Sequence, residues 1–496
     1  MTAHPFQALA SGLHTRSLAS NHLDPAEVVM SSYSSLLRAA RCVAALLALA
    51  ITTTALAQGT GGGGTIGTGA FSGVAVDADG VLKRLEKSDP TGQLMQTRIE
   101  QAQAELGQDV FQPSKLRKVS LTRLIKQMDA AVAAGQAPDE MMRNLAGLTR
   151  VKYVFYYPET KDIVLAGPAE GWVETPDGRV VGWNSGQPIL ELEDLAVALR
   201  TFAPNGKKNS LVYCSIDPTQ EGLMQMQQFL SQMGRQIGPG DEQFIVDGLR
   251  ESLGLQVITV GGVPADTHFA QVLVEADYRM KLIGIGLEEP PVNIASFVAM
   301  SNPASIARNA LQRWYFVPDY QRIKVAEDGL AAEFVGTGVK LVGEDEVVGA
   351  GGERSGTAAQ SPASKKFTKS FTEKYNELAE QAPVYGQLRN CVDLLVAAAF
   401  IQQQDLYGQA EINLGALGDE AAYSVETYNA PKQVATAVNS MWKGNRLMTP
   451  VGGGVEIRAN QAVDAENRIT DKDGAVAKAK ASIDLSSLPA NQWWWD

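Results

Sequence analysis

The spacing of apolar positions changes repeatedly along this chain, and each change predicts a different element. Residues 94–147 carry helical spacing. Ser120 can cap a helix ending at Gly135, and Pro138 can open another ending at Gly147. From Val151 the pattern turns to short β-rich runs. Val151–Tyr157 and Asp162–Ala166 flank a Pro-Glu-Thr-Lys turn, and Trp172–Glu174 and Arg179–Trp183 flank Thr175-Pro176-Asp177-Gly178, a hairpin signal. Leu211–Ile216 is a β-branched strand candidate. Asp217-Pro218-Thr219-Gln220 follows, with Asp217 read as a helix cap, then an apolar helical stripe of Leu223, Met226, Leu230 and Met233 up to Gly234.

The pattern continues as a helix over Asp241–Leu253 and a strand over Leu255–Val260. Thr267–Lys281 reads as a further helix, although Val272-Leu273-Val274 leaves a strand open. Arg313–Val317, Arg322–Ala326 and Leu330–Val335 read as strands, and Phe367, Phe371, Tyr375, Leu378 and then Leu388, Cys391, Leu395, Ala398 form two helical stripes around a Pro383–Gly386 break. Strands and helices mix without strict alternation. The expected fold is therefore α/β or α+β, a mixed β-sheet with packed helices, followed by an αα-hairpin.

The organisation expected from these shifts has six parts. Residues 1–57 are an N-terminal extension and signal peptide, and residues 58–93 a Gly-rich linker. Residues 94–342 form a mixed α/β domain with a helical N-terminal part. Residues 343–366 are a polar linker, 367–405 the αα-hairpin, and 406–496 a weakly patterned C-terminal region ending in Trp493-Trp494-Trp495. The glycines between 59 and 73 do not have phosphate-loop spacing, and no strand precedes them, so the tether reading is preferred.

Composition adds compartment. Arg38 and Arg41 precede an unbroken apolar run from Cys42 to Ile51, and Ala55-Leu56-Ala57 supplies small residues for cleavage before Gln58. This is the layout of a secretory signal whose true start is Met30. A run of that length is too short to span a bilayer. No other segment is expected to span one, the best contender being the short run Leu394–Ile401. The expected location is therefore secreted, periplasmic or cell envelope, with no transmembrane anchor after cleavage. The 496-residue chain has a formal net charge of −12. Removing Arg16, Arg38, Arg41, Asp24 and Glu27 with the signal leaves 40 basic against 53 acidic groups, or −13. That charge argues against nucleic acid and anionic membranes as partners.

Chemistry is mostly excluded. Of four histidines only His268 follows the signal, so two-histidine zinc sites are ruled out within one mature chain. His268 lacks a G-x-S-x-G serine and is read as an exposed or satisfied histidine. Asn205-Gly206-Lys207-Lys208 lacks half of a P-loop, and Asp77-Ala78-Asp79-Gly80 and Asp471-Lys472-Asp473-Gly474 lack parts of a calcium loop. Ser440-Met441-Trp442-Lys443 fits S-x-x-K without its partner motifs. Glu275, Asp277, Arg279 and Lys281 form two i,i+4 pairs and are expected on a solvated helix face. Cys214 and Cys391 are expected as two separate buried thiols rather than a disulfide. The Trp493–Trp495 cluster suits either a sugar or partner surface or a terminal staple. No residue is assigned as catalytic, cofactor-binding or metal-ligating, and no cofactor is expected.

The stretches VFYYPETKDIVLAGPAEGW (Val154–Trp172), CSIDPTQEGL (Cys214–Leu223), FAQVLVEADYRMKLIGIGLE (Phe269–Glu288), RWYFVPDY (Arg313–Tyr320) and Phe371–Gln403 resemble an uncharacterised domain family of secreted planctomycete proteins. The likeness covers roughly residues 95–405. It implies export and one large domain, and carries over no site residue. The reading favours a non-enzymatic envelope or periplasmic protein that binds an envelope partner or glycan, or is structural. Its rival is a carboxylate-dependent hydrolase of cell-wall glycans, in which two acids suffice. Acids paired in one concave pocket, with a pKa raised by burial, would favour the rival.

Overall fold

The computed structural model describes residues 73–496, apart from 86–88, 209, 234–238, 303–309, 321, 350, 358, 440–450, 482–484, 486–487 and 490. The signal segment with Met30 and Ala57, the glycine run before residue 73, Gly234 and the S-x-x-K at Ser440 lie outside the described residues.

Two mixed sheets organise the chain, and the fold is α+β. One sheet runs, edge to edge, through Val74–Val76, Val81–Arg84, Gln433–Ala435, Leu255–Gly261, Val212–Asp217, Val451–Ile457, Ala310–Asp319, Gly338–Val348 and Arg354–Gly356. The other runs through Arg468–Thr470, Arg322–Val325, Ala331–Val335, Tyr153–Tyr157, Asp162–Ala169, Ser114–Ser120 and Trp494–Trp495. Most neighbours are antiparallel. Ala310–Asp319 pairs in parallel with Val451–Ile457, as does Arg322–Val325 with Arg468–Thr470. A separate hairpin joins Trp172–Glu174 to Val180–Gly182 around the expected Thr175–Gly178 turn, where Gly178 takes φ +87°.

Segments that read as linker or tail supply sheet strands. The Gly-rich stretch ends in the hairpin of Val74–Val76 and Val81–Arg84. The polar stretch 343–366 completes one long strand, adds Arg354–Gly356, and opens the helix Pro362–Glu373. Residues after 408 provide strands to both sheets, and the described residues form one compact unit. The strand Val451–Ile457 was invisible to hydrophobic alternation because glycines occupy it. A Cβ at Gly453, which has φ +145°, would lie 1.7 Å from the Trp314 carbonyl oxygen, so backbone approach excludes side chains there. Residues 114–120, read as helical, form a strand, and Ser120 then caps the helix Leu121–Ala133 by accepting from Arg123 N at 3.1 Å.

Asp217 does not cap the next helix. Thr219 does, accepting from Gly222 N at 2.9 Å, while Asp217 accepts from Arg354 at 2.9 Å. The stripe Phe367, Phe371, Tyr375 and Leu378 is buried as expected, with Phe367 4.5 Å from Trp314 and Phe371 5.6 Å from Phe316, ring centroid to centroid. In place of a two-helix hairpin, three helices occur: Pro362–Glu373, Tyr375–Gln381 and Pro383–Gln403. The last extends well beyond Leu394–Ile401. It is long and apolar enough to cross a membrane, and it lies buried inside the protein as a core helix.

The terminal tryptophans dock. Trp494–Trp495 pairs antiparallel with Val119 and Lys118, and Trp493 and Trp495 are buried. Asp496 receives both Nε (2.9 Å) and Nη2 (3.0 Å) of the fully buried Arg117. Cys214 and Cys391 are free buried thiols, and burial pushes both well above the ordinary thiol range.

The largest departure from expectation is the helix His268–Ile285. Thr267 caps it, and Gly286 ends it at φ +76°. It is buried on nearly all sides, between the first sheet and the Pro383–Gln403 helix. Glu275 and Asp277 have no exposure, and Lys281 has 4%. The acid–base spacing is the one a solvated face would show, but tertiary partners replace water. Lys281 Nζ donates to Asp277 Oδ2 (2.8 Å), Ile216 O (2.8 Å) and Gly453 O (3.1 Å), tying the helix to two strands with all three donors. Burial raises Asp277 to about 6 against the opposing pull of Lys281. Removing one partner of a buried pair leaves an uncompensated charge. Asp277→Ala should therefore cost about 3–5 kcal/mol in urea unfolding. The double change Asp277→Ala with Lys281→Met should recover most of that loss.

Candidate functional site

A cavity of about 290 Å³ opens beside the N-terminus of the His268 helix. Its acids come from four places, the first being Glu140, which opens the helix Glu140–Arg143. Glu191 and Glu193 flank the start of the helix Leu192–Thr201, Glu174 ends a hairpin strand, and Glu426 belongs to the C-terminal region. Acidic residues in a helix's first turn complement its dipole. That accounts locally for Glu193 and Asp194, and it made them unremarkable in the sequence. Glu193 Oε1 accepts from Glu426 N at 3.3 Å, joining the two stretches. Tyr428 completes that wall, its backbone N donating to Asp266 O at 2.7 Å.

Behind the acids lies a buried polar chain. His268 Nδ1 is 3.1 Å from Asp194 Oδ2 and 3.6 Å from Glu191 Oε2. Its Nε2 is 3.3 Å from the Gln387 amide nitrogen. Gln387 is oriented by Arg179, whose Nη1 donates to Gln387 Oε1. Arg179 also donates Nε to Asp177 (2.8 Å) and Nη2 to Glu275 Oε1 (2.6 Å). Arg279 reaches the same Glu275 oxygen at 3.4 Å and donates two bonds to Glu288. The chain thus runs from the cavity along the core helix.

The electrostatics follow from burial plus crowded acids. Burial raises Glu193 to about 7, and Glu191 and Asp194 add to the shift. Burial also raises Glu191, with His268 opposing. Two influences disfavour charge on His268: burial, and the Gln387 amide, which calls for a lone pair on Nε2. The carboxylates of Glu191, Asp194 and Glu193 prevail and lift it to about 10. The cavity wall therefore holds one carboxylic acid near half-protonation at neutral pH beside further carboxylates.

Of the residues singled out in the sequence, His268 lies at this site, buried and hydrogen-bonded to Asp194. Glu275 lies behind it. Cys214, Asp217, the Asp79-Gly80 and Asp473-Gly474 turns and Trp493–Trp495 are elsewhere, while Gly178 of the hairpin turn lines the cavity. Asp77 Oδ1 is spent on Asp79 N and Val81 N, and Asp471 on Val476 N, as turn chemistry requires. Among the described residues no group of three or more potential metal ligands converges. Sequence reading missed Glu191, Glu193, Glu426 and Tyr428, because they lie on separate stretches and form no spaced motif. The signal present was ELED at 191–194, which is indistinguishable from an ordinary acidic helix start.

Residues 214–297 match the family model described as a protein of unknown function (DUF1598). The match contains His268 and its helix, while Arg179, Glu191, Glu193, Gln387 and Glu426 lie outside it. No curated protein and no solved structure matches the chain.

The raised groups set the sign of pH dependence. His268 binds its proton more tightly folded than unfolded, so its contribution is whole below its ordinary 6.5 and lost as pH rises toward about 10. Glu193, ordinarily 4.5 and here about 7, slopes the same way at lower pH. Stability should therefore fall as pH rises from 6.5 to 10, by at most about 1.4 kcal/mol per pH unit for one proton. Urea midpoints across that range should flatten in His268→Gln.

Proposed function

We propose that the chain is an exported protein whose acidic cavity performs carboxylate acid–base hydrolysis on a neutral, hydroxyl-rich substrate such as a cell-wall glycan. The observation that carries this reading is Glu193, an acid raised to about 7 in a cavity wall that also holds Glu191, Glu174 and Glu426. Such chemistry needs one carboxylic acid to protonate a leaving oxygen and one carboxylate to act as base or nucleophile. In this scheme Glu193 is the proton donor, and an ionised neighbour in the same wall is its partner. His268, with Asp194, holds Glu191 in place and balances part of the negative charge. The export part rests on the Arg38–Ala57 pattern and on the resemblance to secreted proteins.

A second reading is ligand binding without turnover. It is favoured by the enclosure of His268, a buried ring with Asp194 against Nδ1 and the Gln387 amide against Nε2.

Release of reducing ends from purified peptidoglycan and its soluble fragments distinguishes the two. Hydrolysis should decline above about pH 7 as Glu193 ionises, and Glu193→Gln should lower it by about 100-fold or more, within the usual range for a general acid. Calorimetric binding of the same fragments without product would leave the binding reading. Turnover that is indifferent to Glu193→Gln would reject Glu193 as the donor.

A further inference from the structure

A second cavity, of about 470 Å³, is lined in part by Asn184, Ser185 and Gln187 and shares no lining residue with the acidic one. Two arginines line it, Arg150 and Arg389. They are not equally provided for. Arg150 donates Nε (2.9 Å) and Nη2 (3.2 Å) to the two oxygens of Asp393, which is fully buried and also accepts from Tyr320 at 2.6 Å. One buried carboxylate thus serves one guanidinium and one phenol.

Arg389 is 7% exposed and has no carboxylate partner among the described residues. Its Nη2 donates to the neutral amide oxygen of Gln187 at 2.7 Å, and its buried Nε has no partner. Burial and the neighbouring Arg150 hold it below the usual arginine range. Buried charges are ordinarily paired, and an unpaired one is costly.

The cavity's own acids do not fill the role. Glu170 accepts from Asn184 N, Ser185 N and the Ser185 hydroxyl, and Glu380 is exposed. The rest of the lining offers the hydroxyl of Ser114 and the amide of Asn376, while the Thr149 hydroxyl donates to Pro168 O at 3.1 Å.

We propose that this cavity binds an oxyanion, the carboxylate or phosphate group of a small ligand, with Arg389 as its counter-ion. A planar guanidinium recognises either group through paired N–H donors. The site is separate from the acidic cavity, and its test does not depend on hydrolysis.

Calorimetric titration of the full chain at low ionic strength, with inorganic phosphate in one arm and glucuronate in the other, tests it. Binding of at least one is expected, and the arm that binds identifies the group. Arg389→Met should weaken that binding by about tenfold or more, as loss of a charge-assisted contact implies. Without anion it should keep or raise the thermal midpoint, because it removes a buried charge that only the shared Asp393 offsets. Gln187→Glu places a carboxylate against Nη2. It should raise the midpoint and abolish the anion response, keeping the test open if Arg389→Met folds poorly. The proposal fails if the wild-type chain binds neither probe, or if both variants bind as the wild type does. It also fails if Arg389→Met lowers the midpoint sharply while Gln187→Glu changes neither midpoint nor binding.

Discussion

One oxygen, Oε1 of Glu275, holds the centre of this protein together. It accepts from Arg179 on the hairpin and from Arg279 one turn along its own helix, and it has no exposure to water. Removing a carboxylate from solvent is costly, and only close cationic donors offset that cost. Arg179 in turn fixes Gln387 on the core helix, and Gln387 faces His268. Three elements distant in sequence are thereby brought to one place: the hairpin, the His268 helix and the Pro383–Gln403 helix. The apolar surfaces around them supply cohesion, while the directional bonds select which faces meet.

The acidic cavity depends on that arrangement. Its acids stand at a helix start and in a late segment, and each alone has an ordinary local explanation. Burial first, and then the neighbouring Glu191 and Asp194, raise Glu193, with His268 opposing. The second cavity shows the opposite imbalance. There Asp393 is committed to Arg150 and Tyr320, and Arg389 has the neutral Gln187 amide but no carboxylate hydrogen-bonded to it among the described residues.

Local rules were a fair guide to elements and a poor one to environment. Ser120 and Thr267 cap as their types suggest, and the Phe367–Leu378 stripe faces inward. The Glu275–Arg279 and Asp277–Lys281 spacing was correctly helical, and the solvated face inferred from it was not. An i,i+4 pair has the same appearance on a surface and in a core, because spacing encodes the helix and not what packs on it. Likewise the glycines at 452–454 carry no apolar signal, although close backbone approach is what their strand requires.

What the sequence determined by itself was a mixed α-and-β fold, about half of the strands, and caps such as Ser120. These depend on residue type and short spacing. Tertiary structure alone decided that Glu191, Glu193, Glu426 and His268 share a cavity, that Arg389 has no carboxylate hydrogen-bonded to it among the described residues, and that the last residues complete a sheet. Each of those facts joins residues tens to hundreds of positions apart. No local periodicity records such a meeting, because it is set by which buried faces and charges can satisfy one another.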